Sequence, residues 1–365
     1  MDFPVWFKRA IFLIYRRSAI KNHKLDYLFW ECTLRCNLNC LHCGSDCTKQ
    51  SGQKEMPVQD FAKVLDDIKQ NINPQKLTVC ITGGEPLLRK DLEEAGQEVI
   101  KRGFTWGIVT NGLAFSEKRF YSLLKAGMSS LTFSLDGFKK EHSYLRQNDF
   151  SFDAVVNGIK IINDFQKLNP GYFVYDIVTC VHRGNLGILR EFRDFLIEID
   201  VKAWRIFSIF PEGRAGQNDL SITKEEYRFL MDFIVETRNY KNKDGKSIHL
   251  NYSCEGFLGK YELKVRDYFF FCRAGINVAS VWGDGSVSGC LSVRAKDLIQ
   301  GNIYEKPFSQ IWNQEYKNMR NHSWAKKGKC AKCRKWKLCM GNGMHLHKDL
   351  VSDVDRCNYE LLAGG

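Results

Sequence analysis

Apolar strand-like runs recur along this chain, each followed by an amphipathic helical pattern. No other feature restricts the fold as strongly. The runs cover residues 27–31, 76–82, 105–110, 130–135, 173–181 and 203–210. The helical stretches between them include residues 58–72, where Phe61, Val64, Leu65, Ile68 and Ile72 share one face, and residues 152–165 and 189–199. Such alternation predicts parallel strands joined by right-handed crossovers. Six units predict an α/β fold, a partial (β/α)6 TIM-like barrel rather than a closed eightfold one. In such barrels the chemistry sits on the loops that follow the strands.

The special motifs fall on those loops. After the first strand comes Cys36-Asn-Leu-Asn-Cys40-Leu-His-Cys43. After the second comes Gly83-Gly84-Glu85-Pro86, and after the third Asn111-Gly112. Soft thiolates suit iron–sulfur clusters, and three of them at this spacing can hold three irons of a [4Fe–4S] cube. The fourth iron is then left open, where a cosubstrate can chelate. Cys32 and Cys47 flank the triad, but only 36/40/43 has the right gaps. A zinc knuckle or idle thiols are the competing readings of the triad alone; they leave the Gly-Gly-Glu-Pro run unexplained.

The triad together with Gly-Gly-Glu-Pro resembles the radical S-adenosylmethionine (SAM) enzymes over residues 26–215. The resemblance implies that Cys36, Cys40 and Cys43 ligate the open cluster and that its free iron takes the amino and carboxylate groups of SAM. One-electron reduction then yields a 5′-deoxyadenosyl radical. It implies cofactor-binding roles for Gly83, Gly84 and Glu85 at the methionine ammonium, His42 against adenine and Asn111 at the ribose. Ser134 and Arg146 would lie at the methionine carboxylate, and Arg214 matches a barrel-end arginine of the family. For His42 a solvent-facing loop, for Asn111 a plain turn, and for the rest a structural role are the alternatives. His142 and Cys180 are read as structural.

The pattern changes near residue 240. The polar stretch 239–247 reads as a linker, followed by short strands over residues 276–282 and 286–288 joined at Gly283-Asp284-Gly285. Then Cys272-x12-Gly285-x4-Cys290 precedes Cys330-x2-Cys333-x5-Cys339, with Cys357 beyond. This is similar to the SPASM extension of the same enzymes. The domains expected are a basic aromatic segment (1–25), the partial barrel (26–238) and a small cysteine-rich SPASM-like domain (239–365). The resemblance implies one auxiliary [4Fe–4S] cluster on Cys330, Cys333, Cys339 and Cys357. A second would use Cys272 and Cys290, but Gly343 stands where the family has a further cysteine; Cys254, His345 and His347 are the substitutes available. A structural zinc ribbon is the competing reading. Leu291 stands where the sulfatase-maturating branch has an aspartate base, so that branch is disfavoured, and Glu255 is the nearest alternative carboxylate.

Composition bounds the partners. The chain has 365 residues and 14 cysteines, and no apolar run approaches the ~20 residues of a spanning helix. Lys8 and Arg9 break the apolar N-terminus, and no small-residue cleavage site follows. A cytoplasmic, metal-binding use of cysteine is therefore expected. The net charge of +12 is scattered rather than blocked, which fits a solvated surface and disfavours nucleic acid. Trp6, Phe7, Ile11, Phe12, Ile14 and Tyr15 alternate with Lys8, Arg9, Arg16 and Arg17. A helix here would cap the barrel or lie against an anionic membrane face. The resemblance implies a precursor peptide or small (lipo)protein substrate, the lipoprotein link resting on the region from Cys32 to Cys47. It also implies a flavodoxin- or ferredoxin-type electron donor. A radical SAM enzyme on a small molecule or tetrapyrrole, and a non-enzymatic zinc- or RNA-binding protein, are the other two readings.

Overall fold

The computed structural model describes residues 3–253 and 255–363. Two compact units emerge, one formed by Trp30–Ser253 with Trp282–Asp284 and the other by Met1–Phe29, Cys254–Val281 and Gly285–Gly365.

The first unit is the α/β layer. Its strands are β1 (Tyr27–Thr33), β2 (Thr78–Gly83), β3 (Thr105–Thr110), β4 (Met128–Ser134), β5 (Val174–Val181), β6 (Ala203–Ser208) and β7 (His249–Tyr252). They lie side by side in chain order, with every pair from β2 to β7 parallel. All six expected strands are present and β7 is a seventh. It escaped the sequence reading because it is four residues long and follows a polar stretch. There Asn242 closes a turn by accepting from the Asp244 and Lys246 amides.

The helices of this unit fill the crossovers, among them α2 (Val58–Lys69), α3 (Leu92–Lys101), α4 (Glu117–Lys125), α5 (Lys139–Arg146), α6 (Ser151–Leu168), α7 (Leu189–Glu198) and α8 (Lys224–Arg238), preceded in the chain by α1 of the second unit (Val5–Asn22). The expected face of α2 is buried at Phe61, Val64, Leu65 and Ile68. Phe61 stacks on Trp30 with ring centroids 4.1 Å apart. A reciprocal capping box between Thr223 and Glu226 starts α8. Two of the buried tryptophans have their donors satisfied: Trp106 Nε1 bonds the Ala126 carbonyl at 3.1 Å and Trp204 Nε1 the Thr179 hydroxyl at 2.8 Å. Phe133 of β4, fully buried, fills a slot between Gly112 and Gly158, where a Cβ would come within 3.3 and 2.6 Å of its ring.

In the second unit α1 buries Phe12 and Arg16. Phe12 packs with Phe257, Phe269, Phe271, Ile276 and Cys339. The Arg16 guanidinium donates to the carbonyls of Leu338 (2.9 Å) and Lys337 (2.6 Å). The buried face of this helix is thus matched to C-terminal residues of its own unit. Arg16 drops out of the basic face as well. β8 (Val278–Trp282) and β9 (Ser286–Ser288) pair antiparallel, as expected, and β10 (Gly301–Asn302) adds to β9. Among the described residues no helix is long and apolar enough to cross a membrane.

Replacing Phe133 by alanine leaves a cavity that the two glycines cannot fill, so the loss should be about 3–5 kcal/mol. Urea unfolding followed by tryptophan fluorescence measures it. A loss below about 1 kcal/mol would mean that the slot collapses.

Candidate active site

The cysteine loop is built on backbone. Cys36 N bonds Thr48 O at 2.9 Å and Thr48 N bonds Leu34 O at 3.3 Å, so the loop closes on itself just past β1. The turn after β2 then presses against its base. Gly84 N donates to Thr33 O at 2.7 Å, and Glu85 N to Arg35 O at 2.9 Å. A Cβ on Gly83 would sit 2.2 Å from Thr33 O, and one on Gly84 would sit 2.2 Å from Arg35 O. Gly83 also has φ +140°. Both glycines are thus required by contact between two strand exits, before any ligand is considered.

Glu85 is fully buried. Its carboxylate accepts from Leu87 N (3.0 Å), the Thr110 hydroxyl (2.8 Å) and Asn111 N (2.8 Å). Burial pushes its pKa up to about 7, against those donors. It ties the loops after β2 and β3 together. Asn111 in turn reaches back to the cysteines: its Nδ2 donates to Asn37 Oδ1 at 2.8 Å and to Cys36 Sγ at 3.7 Å. Arg146 at the end of α5 lies 2.6 Å from Asp136 Oδ2 and 3.8 Å from Cys40 Sγ. Burial opposes ionisation of Asp136, yet Arg146 and His142 hold its carboxyl well below the usual range. Arg214 clamps the loop from the far side, through Cys40 O (2.8 Å), Cys47 O (3.0 Å) and Asp46 (2.7 Å). Ser134 closes β4 in register with Val178.

The sulfurs are the centre of these contacts. Cys36 and Cys40 are buried in one cluster with Cys47, and Cys43 packs against it. Burial raises Cys36 to about 11, offset by the Leu38 amide. The Cys47 thiol and amide donate to Cys43 and pull its pKa down. Cys32 is fully buried; burial above all drives its pKa up, with Arg89 opposing and Glu55, Glu85 and Asp91 adding, and none of these causes is a hydrogen bond to its sulfur. Directed donors therefore separate the triad from its neighbour. His42 is half-buried beside the loop; burial and then Arg146 lower its pKa to about 3. Its Nδ1 is buried without a hydrogen-bond partner.

The second unit repeats the arrangement. Cys339 ends a helical turn followed by three left-handed residues, Met340, Gly341 and Asn342. The Gly341 and Asn342 amides point at its sulfur, which burial raises to about 12. Cys330 and Cys357 each lie within electrostatic reach of Cys333, of Cys339 and of one another. Asn342 Nδ2 bonds Arg356 O at 3.1 Å, tying the Cys339 turn to the Cys357 segment. Cys272 accepts from the Met344 amide at 3.4 Å. Cys290 accepts from the Leu291 and Ser292 amides. Glu255 is buried in the same unit, and Cys254 lies outside the described residues.

Residues 30–196 match the radical SAM superfamily, and residues 272–334 match the SPASM iron–sulfur cluster-binding domain. The chain is a radical SAM enzyme with a SPASM domain. It is 26% identical over 330 residues to an AdoMet-dependent heme synthase of Methanosarcina barkeri, covering 86% of this chain and 89% of that protein. It is 27% identical over 323 residues to the mycofactocin maturase MftC of Mycolicibacterium smegmatis, covering 87% and 77%. Its fold is similar to that of Streptococcus suis SuiB bound to precursor peptide SuiA, with a TM-score of 0.68, 18% identity, and 90% and 75% coverage.

The radical SAM loop fits an iron–sulfur cluster by its donor set. Three thiols are gathered, each with a donor aimed at sulfur, which stabilises the thiolate that iron requires. Among the described residues no three His, Cys, Asp or Glu side chains converge to hold a single ion; a cube takes one thiolate at each separate corner. Sequence reasoning missed Asp136 and Thr110, and set Cys47 aside as a flanking thiol. Asp136-Gly137 after β4 was the available signal, since it stands at the same strand end as the other motifs.

The raised pKa of Glu85 has a signed consequence. Between its ordinary value of 4.5 and about 7 the folded state binds the extra proton. Stability should therefore fall as pH rises through that window, by up to about 3 kcal/mol. Glu85→Gln should lack this fall. Urea unfolding at pH 5 and pH 7.5 compares the two proteins, and parallel profiles would refute the assignment.

Proposed function

We propose that this enzyme cleaves SAM reductively and modifies a ribosomally made peptide or protein by crosslinking, epimerisation or side-chain oxidation. When bound, the cluster with its open iron and SAM supply a 5′-deoxyadenosyl radical that abstracts hydrogen from the substrate. In this reading Cys36, Cys40 and Cys43 hold the cluster. The Asn111 amide, the Arg146 guanidinium and the Cys47 thiol stabilise the three thiolates by donating to them. His42, with its buried orphan nitrogen, faces the cosubstrate. Gly83, Gly84, Glu85, Ser134 and Arg214 serve the cosubstrate by setting the loops around it. Glu255 is the candidate base, and the electron donor is a flavodoxin or ferredoxin.

The observation that carries the peptide reading is the second unit: six further cysteines, Cys272, Cys290, Cys330, Cys333, Cys339 and Cys357, all in the sequence that follows the barrel. They serve at least one auxiliary cluster, through which the electron of a substrate radical can leave. The relatedness to a maturase supports the same reading. A tetrapyrrole substrate is the second reading, favoured by the relatedness to an AdoMet-dependent heme synthase.

Anaerobic protein, dithionite and SAM should yield 5′-deoxyadenosine, and Cys36→Ala should reduce the yield at least a hundredfold. Short peptides encoded beside the gene and iron coproporphyrin III are the two substrate arms, read by mass spectrometry. A mass change in the peptide arm supports the proposal. Turnover of the tetrapyrrole with none of any peptide would overturn it.

We also propose that α1 contacts an anionic membrane surface. Trp6, Ile11 and Ile14 are 69%, 51% and 69% exposed, and Arg9 and Arg17 are exposed on the same helix. Sedimentation with phosphatidylglycerol vesicles should fall severalfold in Trp6→Ala/Ile14→Ala and with added salt. Equal sedimentation with neutral vesicles would refute the charge-assisted contact.

A further inference from the structure

Cys272 and Cys290 are brought together by backbone. A Cβ on Gly289 would lie 2.9 Å from Ala274 Cβ and 3.0 Å from Gly275 N, so the segment leading into Cys290 touches the segment leaving Cys272. Each sulfur carries its own amide donors: Met344 and Ala274 for Cys272, Leu291 and Ser292 for Cys290. Two thiols prepared in this way call for further ligands.

The Met344 amide that bonds Cys272 opens a short 3-10 turn, Met344–Leu346. The residue before it is Gly343, where no thiol is available. A Cβ placed on Gly343 would come 2.7 Å from His345 Cε1 and 2.9 Å from His345 Nδ1. The imidazole thus occupies the volume into which a side chain at 343 would project. His347 Nε2 lies 2.7 Å from Gly341 O and its ring packs edge-on against Trp324, and none of its atoms is among those that a Cβ on Gly343 would meet first.

We propose that His345 supplies an imidazole ligand to an iron–sulfur cluster held by Cys272 and Cys290, in the space left by the missing side chain of Gly343. This rests on the reading of the second unit as cluster-bearing. An imidazole in place of a thiolate removes one negative charge from the cluster and raises its potential, as histidine ligation does in Rieske centres.

The test uses the full chain carrying Cys36→Ala, Cys40→Ala and Cys43→Ala, so that only auxiliary signals remain. It is reconstituted anaerobically and reduced. Pulsed EPR should detect coupling to nitrogen, and the coupling should change in protein labelled with 15N-histidine, which needs no further substitution. His345→Cys should keep the iron, lose the nitrogen coupling and titrate at a lower potential. Two results would overturn the proposal. A cluster signal that disappears in Cys272→Ala but shows no histidine nitrogen rejects the ligand alone. Iron content and spectra unchanged in both Cys272→Ala and Cys290→Ala reject the cluster at this site, while leaving one on Cys330, Cys333, Cys339 and Cys357 intact.

Discussion

Two short backbone hydrogen bonds underlie the active-site end of the barrel. They run from Gly84 N to Thr33 O and from Glu85 N to Arg35 O. They hold the exit of β2 so close to the exit of β1 that neither Gly83 nor Gly84 can carry a Cβ. The cysteine loop is therefore anchored at its root by a contact that tolerates almost no substitution. Everything above it inherits that geometry. Glu85 turns from the contact toward Thr110 and Asn111, and Asn111 reaches Cys36. A strand-to-strand contact thus ends at a sulfur through three residues.

The far side of the loop is held by charge. Asp136, Arg146 and Cys40 form a buried chain from the exit of β4, and Arg214 binds three acceptors around Cys40 and Cys47. The buried carboxylate stays ionised because the guanidinium sits 2.6 Å away, and the guanidinium is left with a donor for sulfur. Removing either partner would strand the other in a nonpolar interior. The three thiols are thus held by a backbone contact, a buried ion pair and a neighbouring thiol, each acting on a different cysteine.

Much of this was legible in the sequence. Strand ends were marked by Gly-Gly and Asn-Gly pairs, and the 36/40/43 spacing singled out the triad. The runs read as β3 and β9 coincide with the strands found. The four residues of β7 were not legible, because a strand that short carries no periodicity of its own. The partners of α1 were not legible either. Its pattern of aromatic and basic residues is equally suited to a barrel, a membrane or the phenylalanine cluster it joins, and only long-range packing chooses. For the glycines of the Gly-Gly-Glu-Pro run the sequence points to a ligand, and the structure adds that a Cβ on either would meet a carbonyl oxygen of β1 or its exit.

Local chemistry written along one chain settles which residue types can hold iron and at what spacing, because thiolate identity and loop length are sequence properties. It settles the alternation of strand and helix for the same reason. Which nitrogen points at which sulfur is a different matter. Donors on Cys36, Cys40 and Cys339 come from residues 75, 106 and two or three positions away, and Cys32 has none despite lying beside the triad. That selection depends on how strands register and how turns close. It is decided only when distant segments meet, since a hydrogen bond depends on distance in space and not on separation along the chain.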